Sequence, residues 1–485
     1  MVTLSKKVES FFESLHFSKL LFIIPYILIS FFVGYGIVYQ GKLTVFIVTV
    51  SIFLLLCLIK LDLAICILIF LFPFHYVFKE IYSSVFTDCW REIILFIIMI
   101  SWFCQCCQKK INFSSWNILN TLILLYAVWG IIEIFNSVNI LVGLAGFRFM
   151  IVFIFLYFVV LSVLEQKKNT NIYIGALLIS GFIVAGIAII QFTQLSLLKI
   201  IEPGTYIDFV GKYSYSRSSK LGLYRATSVL ASDNELGIFL TTCLVFVLSL
   251  LFRASEFRKK NIGFLVTAAI TMFIALLFSM SRTAIIALFI SLFIMGLFLS
   301  KKSDKKNILF IILIVSVVIS IFFPVQVKGL FLPVLTLSDP YFTQWNRANI
   351  WGTFLQSPLI GHGYSITASA AKKLGLSELG VVSVGSVDID FFQTTNQIGL
   401  VGYSLQFLIL FLFIRNSYIC AKSNFLSEYE KAISIAIFGA MISFFIASFH
   451  VSPREYVSLA GTYYLLGAIS SFFYYKIIKT AGSTK

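Results

Sequence analysis

Apolar runs long enough to cross a membrane recur along almost the whole chain of 485 residues. A helix rises about 1.5 Å per residue, so it needs about 17–25 apolar residues to cross the hydrocarbon core. With 59% hydrophobic residues, 12% charged residues and a mean hydropathy of +0.98, the chain lacks the polar surface that a soluble domain needs. The sequence therefore predicts an all-α integral membrane protein.

These runs predict about fourteen transmembrane helices. They lie near residues 20–39, 43–59, 62–78, 93–108, 117–135, 147–164, 172–191, 236–252, 262–280, 283–300, 308–323, 398–414, 432–449 and 457–475. The stretch from Ile262 to Ser300 has no helix breaker, and as one helix it would be about 58 Å long, nearly twice the membrane. It must fold back at its one polar point, Ser279–Thr283. No small-residue cleavage site follows the first run, so we expect a membrane helix there rather than a signal peptide.

Lysines fall in alternate connections between these runs, as the positive-inside rule requires. They are Lys6, Lys7, Lys19, Lys60, Lys109, Lys110, Lys167, Lys168, Lys259, Lys260, Lys301, Lys302, Lys305, Lys306, Lys476 and Lys479. We therefore predict that these connections and both termini are cytoplasmic. Topology also accounts for the net charge of +16, which no nucleic-acid-binding motif accompanies.

This topology leaves two long loops on the outer side. The predicted parts are 1–191 with the first seven helices, 192–235 as the first outer loop, 236–323 with the next four helices, 324–397 as the second outer loop, and 398–485 with the last three helices. In the second loop, residues 340–356 are predicted to form an amphipathic helix along the membrane surface. Because long ordered loops usually carry function, the active surface is expected outside.

Arginine is distributed differently from lysine. Only Arg253, Arg258 and Arg415 fall on the predicted cytoplasmic side. The other seven are predicted to lie outside, and they are Arg91, Arg148, Arg217, Arg225, Arg282, Arg347 and Arg454. A guanidinium group presents a fork of donors that matches phosphate and carboxylate oxygens. The set favours a site for a lipid-linked pyrophosphate or an anionic sugar, although each arginine could instead pair with a nearby carboxylate or reach to the interface.

Three of these arginines lie in distinctive local patterns. Arg225 precedes Ser232–Glu235, a capping box at the start of a span, where free N–H groups and the helix dipole favour an anion. Arg282 lies in the tight outer hairpin, where a charge needs water or a ligand. Arg347 projects from the polar flank of the predicted amphipathic helix.

Four segments, in order, resemble the O-antigen ligase and polymerase superfamily. Leu223–Gly237 is similar to its Arg-Ala-Thr-Gly…Asn-Pro-Asn…Gly segment, and Ser279–Ala284 is similar to its Thr-x-Ser-Arg-Gly-Ala hairpin. Arg347–Trp351 followed by Ser357–Tyr364 resembles its Arg…Trp…Pro-Leu-x-Gly-x-Gly block. Asp388–Gly402 resembles the segment of that superfamily that enters the next span.

Two departures bear on the branch of that superfamily. The ligase branch has a His eleven residues before the first Gly of the last segment, and counting back from Gly399 gives Asp388. None of the histidines occupies this position; they are His16, His75, His362 and His450. Ser232–Asn234 also stands where the family has Asn-Pro-Asn. The resemblance therefore favours a repeat-unit polymerase over a lipid A-core ligase.

The resemblance implies a GT-C-like, inverting and metal-independent glycosyltransferase without a cofactor. It would move a growing glycan from undecaprenyl pyrophosphate onto a new lipid-linked repeat unit, at the outer face of the bacterial inner membrane. The implied pyrophosphate-binding residues are Arg225, Arg282, Arg347 and Arg148. Asp388 is the favoured general base and Asp390 is the second candidate. Each could instead be a solvated loop carboxylate.

Other readings of the sequence stay open. An O-antigen ligase is the nearest alternative, and a lipid-linked oligosaccharide flippase would also have many spans. A flippase should carry charges inside its spans and have short loops, whereas here the span interiors hold almost no charge and the long loops lie on one side. The implied partners are lipid-linked glycans, membrane lipid, a chain-length regulator and a flippase, but no nucleic acid. Cys104–Cys107 lacks a second ligand pair, so no metal site is predicted. The product could be O-antigen, capsule or exopolysaccharide.

Overall fold

The computed structural model describes most of the chain between residues 60 and 483. The described ranges are 60–77, 90–108, 111, 117–137, 139–197, 224–298, 355–364, 390–449, 451–453 and 456–483. Three predicted spans, near 20–39, 43–59 and 308–323, lie outside them, as do residues 340–354 of the predicted amphipathic helix.

The described residues form α-helices and contain no β-strand. In chain order the helices are α1 (Leu61–Leu71), α2 (Trp90–Cys107), α3 (Ile118–Asn136), α4 (Ile140–Lys167), α5 (Thr170–Phe192), α6 (Asp233–Arg253), α7 (Ser255–Ser279), α8 (Arg282–Phe298), α9 (Asp390–Lys422), α10 (Glu428–Ala447) and α11 (Val457–Ser483). A 3-10 turn, Phe72–Phe74, follows α1, and a π-helical turn, Thr193–Leu197, follows α5. Each remaining predicted span coincides with one of these helices.

Within the described ranges, eight helices are long and apolar enough to cross a membrane. They are Trp90–Cys107, Ile118–Asn136, Ile140–Lys167, Thr170–Ser196, Asp233–Arg253, Ser255–Ser279, Gln393–Lys422 and Glu428–Ala447. Leu61–Val77 and Arg282–Gly296 are apolar but shorter. The all-helical fold is confirmed for this part of the chain, whereas the count of about fourteen spans and the orientation of the termini stay predictions.

Polar side chains mark where several helices begin. The first N–H groups of a helix have no partner within it, so a side-chain acceptor just before the first turn fixes its start. Asn117 Oδ1 accepts a hydrogen bond from Asn120 N at 2.8 Å before α3. Ser427 and Glu430 form a reciprocal capping box at the start of α10. These local signals set helix ends that apolar composition alone leaves vague.

Short connections make successive helices run in opposite directions. The α3–α4, α7–α8 and α10–α11 connections lie at one end of the bundle, which we call the site end. The α4–α5, α6–α7 and α9–α10 connections lie at the opposite end. Contacts between helix ends agree with this, since Ser458 at the start of α11 bonds Glu235 at the start of α6.

Helix α6 lies at the centre of the bundle, where it packs against α5, α7, α8, α10 and α11. It is the most buried of the eight candidate spans. By contrast, α7 turns one apolar row outward, formed by Ile262, Val266 and Ile270. Such a row suits acyl chains rather than water. The central position of α6 makes its first turn a meeting point for several helices at the site end.

Several ion pairs lie at the end of the bundle opposite the site end. They join Lys167 to Asp62 at 2.6 Å, Arg253 to Glu428 at 3.1 Å, and Lys476 to Glu430 at 2.6 Å. Pairs of this kind, partly open to solvent, contribute about 0–1 kcal/mol each. Their residues lie in the turns and helix ends that the lysine pattern predicts to be cytoplasmic.

Helix α9 is broken at Gly399, where φ is 66° and ψ is −179°. The N–H groups of Leu400 and Val401 donate instead to the carbonyl oxygens of Pro358 and Leu359, at 2.9 and 3.3 Å. A Cβ at Gly399 would overlap the Leu359 oxygen, so only glycine fits both the positive φ and this close approach. The segment 357–364 thus takes the place of a helical turn.

The part of α9 before the break begins at Asp390, upstream of the predicted span start at residue 398. We call residues 390–398 the half-helix. The backbone carbonyl oxygen of Asn396, within the half-helix, accepts a hydrogen bond from His362 N at 2.8 Å. Trp129 Nε1 on α3 donates to the Ile398 oxygen at 2.9 Å. The half-helix is therefore held by segment 357–364 and by α3.

Candidate functional site

Arg225 lies in the short segment that leads into α6. Its Nη1 donates to Asp233 Oδ2 at 2.7 Å, and its side chain is 29% exposed. Gln191 at the end of α5 holds this segment, because its Oε1 accepts from Thr227 N and Ser228 N at 2.9 and 2.8 Å. A partly exposed guanidinium group is thus fixed on a well-held backbone.

The start of α6 forms the predicted capping box in one half only. Ser232 Oγ accepts a hydrogen bond from Glu235 N at 3.1 Å. The Glu235 carboxylate accepts instead from Ala231 N at 2.9 Å and from the Ser458 hydroxyl of α11. Because Glu235 is fully buried, these bonds offset the loss of water around its carboxylate. Glu235 therefore ties α6 to α11 and is not open to a ligand.

The polar point in the long apolar run forms the predicted tight hairpin. Helix α7 ends at Ser279, and α8 begins at Arg282. Met280 adopts a left-handed conformation with φ of 51°, which reverses the chain in one step. Arg282 is the first residue of α8 and is half-buried. The sequence prediction of a reversal at Ser279–Thr283 is confirmed.

The two arginine-bearing segments contact each other. Ala226 N donates to the Phe278 oxygen at 3.0 Å. Ser281 Oγ donates to Asn234 Oδ1 at 2.8 Å, which joins the hairpin to the first turn of α6. The structure thus joins the segments that carry two predicted site residues, Arg225 and Arg282.

Arg148 has a different partner. It lies on α4, and its Nε is 3.3 Å from Glu92 Oε1 at the start of α2. The same oxygen accepts a hydrogen bond from Arg91 Nε at 2.9 Å. The Arg148 side chain is 39% exposed, whereas Arg91 is buried. This pairing agrees with the structural alternative that the sequence left open for each arginine.

Asp390 is the first residue of the half-helix. It is 2% exposed, and its Oδ1 accepts from Thr394 Oγ1 at 3.4 Å. Its backbone N donates to the Ser448 oxygen at the end of α10, at 3.2 Å. Ser452, in the α10–α11 connection, donates to Gln393 Oε1. Asp390 is therefore a buried carboxylate and not a solvated loop residue.

The α10–α11 connection links this carboxylate to the start of α6. It contacts the half-helix through Ser448 and Ser452, and α11 then contacts Glu235 through Ser458. Asp390, Arg225 and Arg282 consequently all lie at the site end of the bundle. Asp388 and Arg347 lie outside the described residues.

Segment 357–364 carries Gly361–His–Gly363, which forms a turn with φ of 84° and 75° at its glycines. After the turn, Tyr364 N donates to Ser137 Oγ at 3.0 Å. The Tyr364 ring enters a slot between α3 and α4, where Gly130 and Gly146 leave room for it. Burial raises the pKa of Tyr364 well above its ordinary value, so its hydroxyl stays protonated.

Sequence reasoning missed two buried polar side chains near this segment. Glu133 on α3 is 0% exposed, and its Oε2 accepts from Asn136 Nδ2 at 3.1 Å. Glu133 Oε1, Asn396 Oδ1 and Asn396 Nδ2 are buried without a hydrogen-bond partner in the described part of the chain. Glu133 could have been found from the sequence, because it is a carboxylate inside the predicted span 117–135. No feature of the sequence indicates that the Asn396 side chain is buried.

The described ranges hold no group of three or more His, Cys, Asp or Glu side chains that could bind a metal ion. At the site end, the joined segments that carry Arg225 and Arg282 offer guanidinium N–H donors to an anion. A buried carboxylate lies at the same end and could accept a proton from a hydroxyl group. This arrangement suits the transfer of a group from a phosphate leaving group to a hydroxyl.

Residues 267–407 match the sequence model of a family described as O-Antigen ligase. The match covers the hairpin with Arg282, segment 357–364 and the half-helix. It confirms the resemblance to the O-antigen ligase and polymerase superfamily, and it supports a multi-pass bacterial membrane protein that acts in glycosyl transfer. No curated protein sequence matches the chain.

Proposed function

We propose, from the match to the O-antigen ligase family, that the protein is a polysaccharide polymerase. It joins undecaprenyl-pyrophosphate-linked oligosaccharide repeat units at the outer face of the bacterial inner membrane. The product is O-antigen, capsule or exopolysaccharide. A flippase that supplies repeat units and a regulator that sets chain length are its expected partners.

The observation that carries this proposal is the contact between the two arginine segments. Glycosyl transfer from a lipid pyrophosphate develops negative charge on the leaving group. Guanidinium groups held in place before the reaction stabilise such charge with little rearrangement. Arg225 and Arg282 come from segments joined by two hydrogen bonds, so they can act on one pyrophosphate. Arg347 and Arg148 are proposed to assist them.

The acceptor hydroxyl needs a base on the opposite side of the anomeric carbon, because the proposed reaction inverts configuration. We favour Asp388 for this role, with Asp390 as the second candidate. Asp388 lies two residues before the half-helix in the sequence, and Asp390 is its first residue, buried beside Thr394. A carboxylate within hydrogen-bonding distance of the hydroxyl takes its proton as the new bond forms. No metal ion takes part in the proposed reaction.

A ligase that transfers finished polymer to lipid A-core is the second candidate. The family description of the matched region favours it. Asp388 favours the polymerase, because it stands where the ligase branch of the superfamily has a histidine. A flippase is the least favoured alternative, because the predicted spans hold almost no charge in their interiors and the long predicted loops lie on one side.

The surface-glycan ladder of a deletion strain tests the proposal. The strain is complemented with the wild-type gene, Arg282→Ala, Asp388→Ala, or Arg415→Ala as a control. Arg415 lies at the opposite end of the bundle, over the Tyr474 ring. We expect single-repeat glycan in the deletion strain and with the first two variants, and a normal ladder with Arg415→Ala. Loss of a charge-stabilising donor typically costs about 10²–10³ in rate.

The other outcomes distinguish the alternatives. Polymer that accumulates on the lipid carrier without reaching lipid A-core would identify a ligase. Repeat units retained on the cytoplasmic side would identify a flippase. A normal ladder in the deletion strain would remove the protein from this pathway.

A further inference from the structure

We infer that Asn234 is a positioning residue that sets Arg282 relative to Arg225 at the proposed pyrophosphate site. The inference rests on the proposed function. It assigns to Asn234 no contact with the substrate. Asn234 acts through Ser281, the residue directly before Arg282.

The first turn of α6 sends three consecutive side chains to three different elements. Asp233 pairs with Arg225 at 2.7 Å. Asn234 Oδ1 accepts from Ser281 Oγ in the α7–α8 hairpin at 2.8 Å. Glu235 binds the hydroxyl of Ser458 in α11. One rigid helical turn therefore fixes the anchor of one arginine, the hairpin that carries the other, and its own place in the bundle.

The hairpin leaves little freedom between Ser281 and Arg282. Ser281 Oγ lies 3.4 Å from Ala284 N, so this residue also begins the first turn of α8. Gly237, one turn after Asn234, lets α6 approach the start of α8 closely. A Cβ at this position would lie 2.6 Å from Ala284 Cβ and 2.8 Å from Ser281 Cβ. A shift at Ser281 therefore moves the guanidinium-bearing residue that follows it.

Spacing matters because a pyrophosphate offers oxygens on two linked phosphorus atoms. Two guanidinium groups stabilise it together only when their separation matches those oxygens. Misplacement of a reacting group by about 1 Å can cost about 10²-fold in rate. Loss of the Asn234–Ser281 bond should therefore weaken carrier binding although both arginines remain.

Binding of undecaprenyl pyrophosphate to purified protein in lipid nanodiscs tests this inference. Asn234→Ala and Ser281→Ala should each raise its Kd about tenfold, since coupled residues interact by amounts of this order. Asn234→Ala combined with Arg282→Ala should bind no more weakly than Arg282→Ala alone. A residue with a purely structural role would instead add its loss to that of the arginine.

Ser291→Ala is the matched control. Ser291 and Ser443 share a buried hydrogen bond of 2.8 Å between α8 and α10, so this variant also removes one interhelical bond of α8. It should leave the Kd unchanged. Thermal unfolding of each variant in nanodiscs shows whether the bundle is intact before binding is compared.

The outcomes separate the two proposals. Normal binding by Asn234→Ala, or losses that add with Arg282→Ala, would overturn the positioning role and leave the proposed pyrophosphate site standing. Normal binding by both Arg225→Ala and Arg282→Ala would remove the site itself, and the role of Asn234 with it.

Discussion

Asp233 has two opposing effects on Arg225. It anchors the guanidinium group at 2.7 Å, and its own charge competes with an incoming phosphate. The arginine side chain is 29% exposed and the carboxylate 11%, so solvent weakens their attraction only in part. The negative charge also suits the start of a helix. The pair therefore balances orientation of Arg225 against its availability.

Asp233→Asn should tighten binding of undecaprenyl pyrophosphate several-fold at low salt, because the amide keeps an acceptor for Arg225 and removes the competing charge. The gain should shrink as ionic strength rises, since salt screens charges at partly exposed sites. Titration of the carrier at two salt concentrations measures both effects. Glu428→Gln, which removes the charge from the Arg253 pair at the opposite end, is the control and should change neither Kd. Weaker binding by Asp233→Asn would show that its charge, and not only its geometry, supports the site.

At the scale of elements, the break in α9 separates the half-helix from the rest of a long span. Segment 357–364 fills the break through Pro358 and Leu359, and it docks on α3 and α4 through Tyr364. The half-helix that carries Asp390 is thus oriented by contacts from elsewhere in the chain. Its position depends on one residue, Gly399, having no side chain.

Gly399→Ala should destabilise the protein by at least about 2 kcal/mol, because it combines a positive φ with a clash against the Leu359 oxygen. A lower unfolding temperature in detergent and loss of polymer in complemented cells are the expected results. Gly175→Ala is the control, because a Cβ on that helical glycine meets nothing within 4 Å. Equal stability of the two variants would contradict the break as described.

At the scale of the whole molecule, the two ends of the bundle differ in chemistry. Arginines, among them Arg225 and Arg148, form the ion pairs of the site end, where Asp390 also lies. At the opposite end, lysines form the Lys167–Asp62 and Lys476–Glu430 ion pairs. The lysine pattern predicts that the second of these ends is cytoplasmic. The proposed reaction then takes place outside the membrane.

Cysteine labelling tests this orientation. Ile140 and Phe425 are exposed, at the α3–α4 and α9–α10 connections. In a variant with Ser in place of the exposed Cys104 and Cys107, and of Cys57 and Cys89, which lie outside the described residues, Ile140→Cys should react with a membrane-impermeant maleimide in intact spheroplasts. Phe425→Cys should react only after the membrane is opened. The reverse pattern would place the proposed site in the cytoplasm.

Much of this architecture could be predicted from composition and periodicity. Apolar runs locate the described helices, and the excessive length of Ile262–Ser300 forces the reversal before Arg282. The break at Gly399 could not be predicted, because it depends on carbonyl groups of a segment about forty residues earlier. The burial of Asp390 could not be predicted either, because it arises from a helix that begins eight residues before the predicted span start at residue 398. Local patterns specify helices, whereas contacts between distant residues specify the site.

The bond between Glu235 and Ser458 has a consequence for how the protein is made. The carboxylate lies at the start of α6, and its serine partner is 223 residues further along the chain. While the ribosome is still translating the intervening residues, α6 must enter the bilayer with an acidic group that lacks this donor. Arrival of the last helix then satisfies it. A chain released before α11 would leave Glu235 Oε1 without its donor inside the bundle, while Oε2 would keep only the hydrogen bond from Ala231 N.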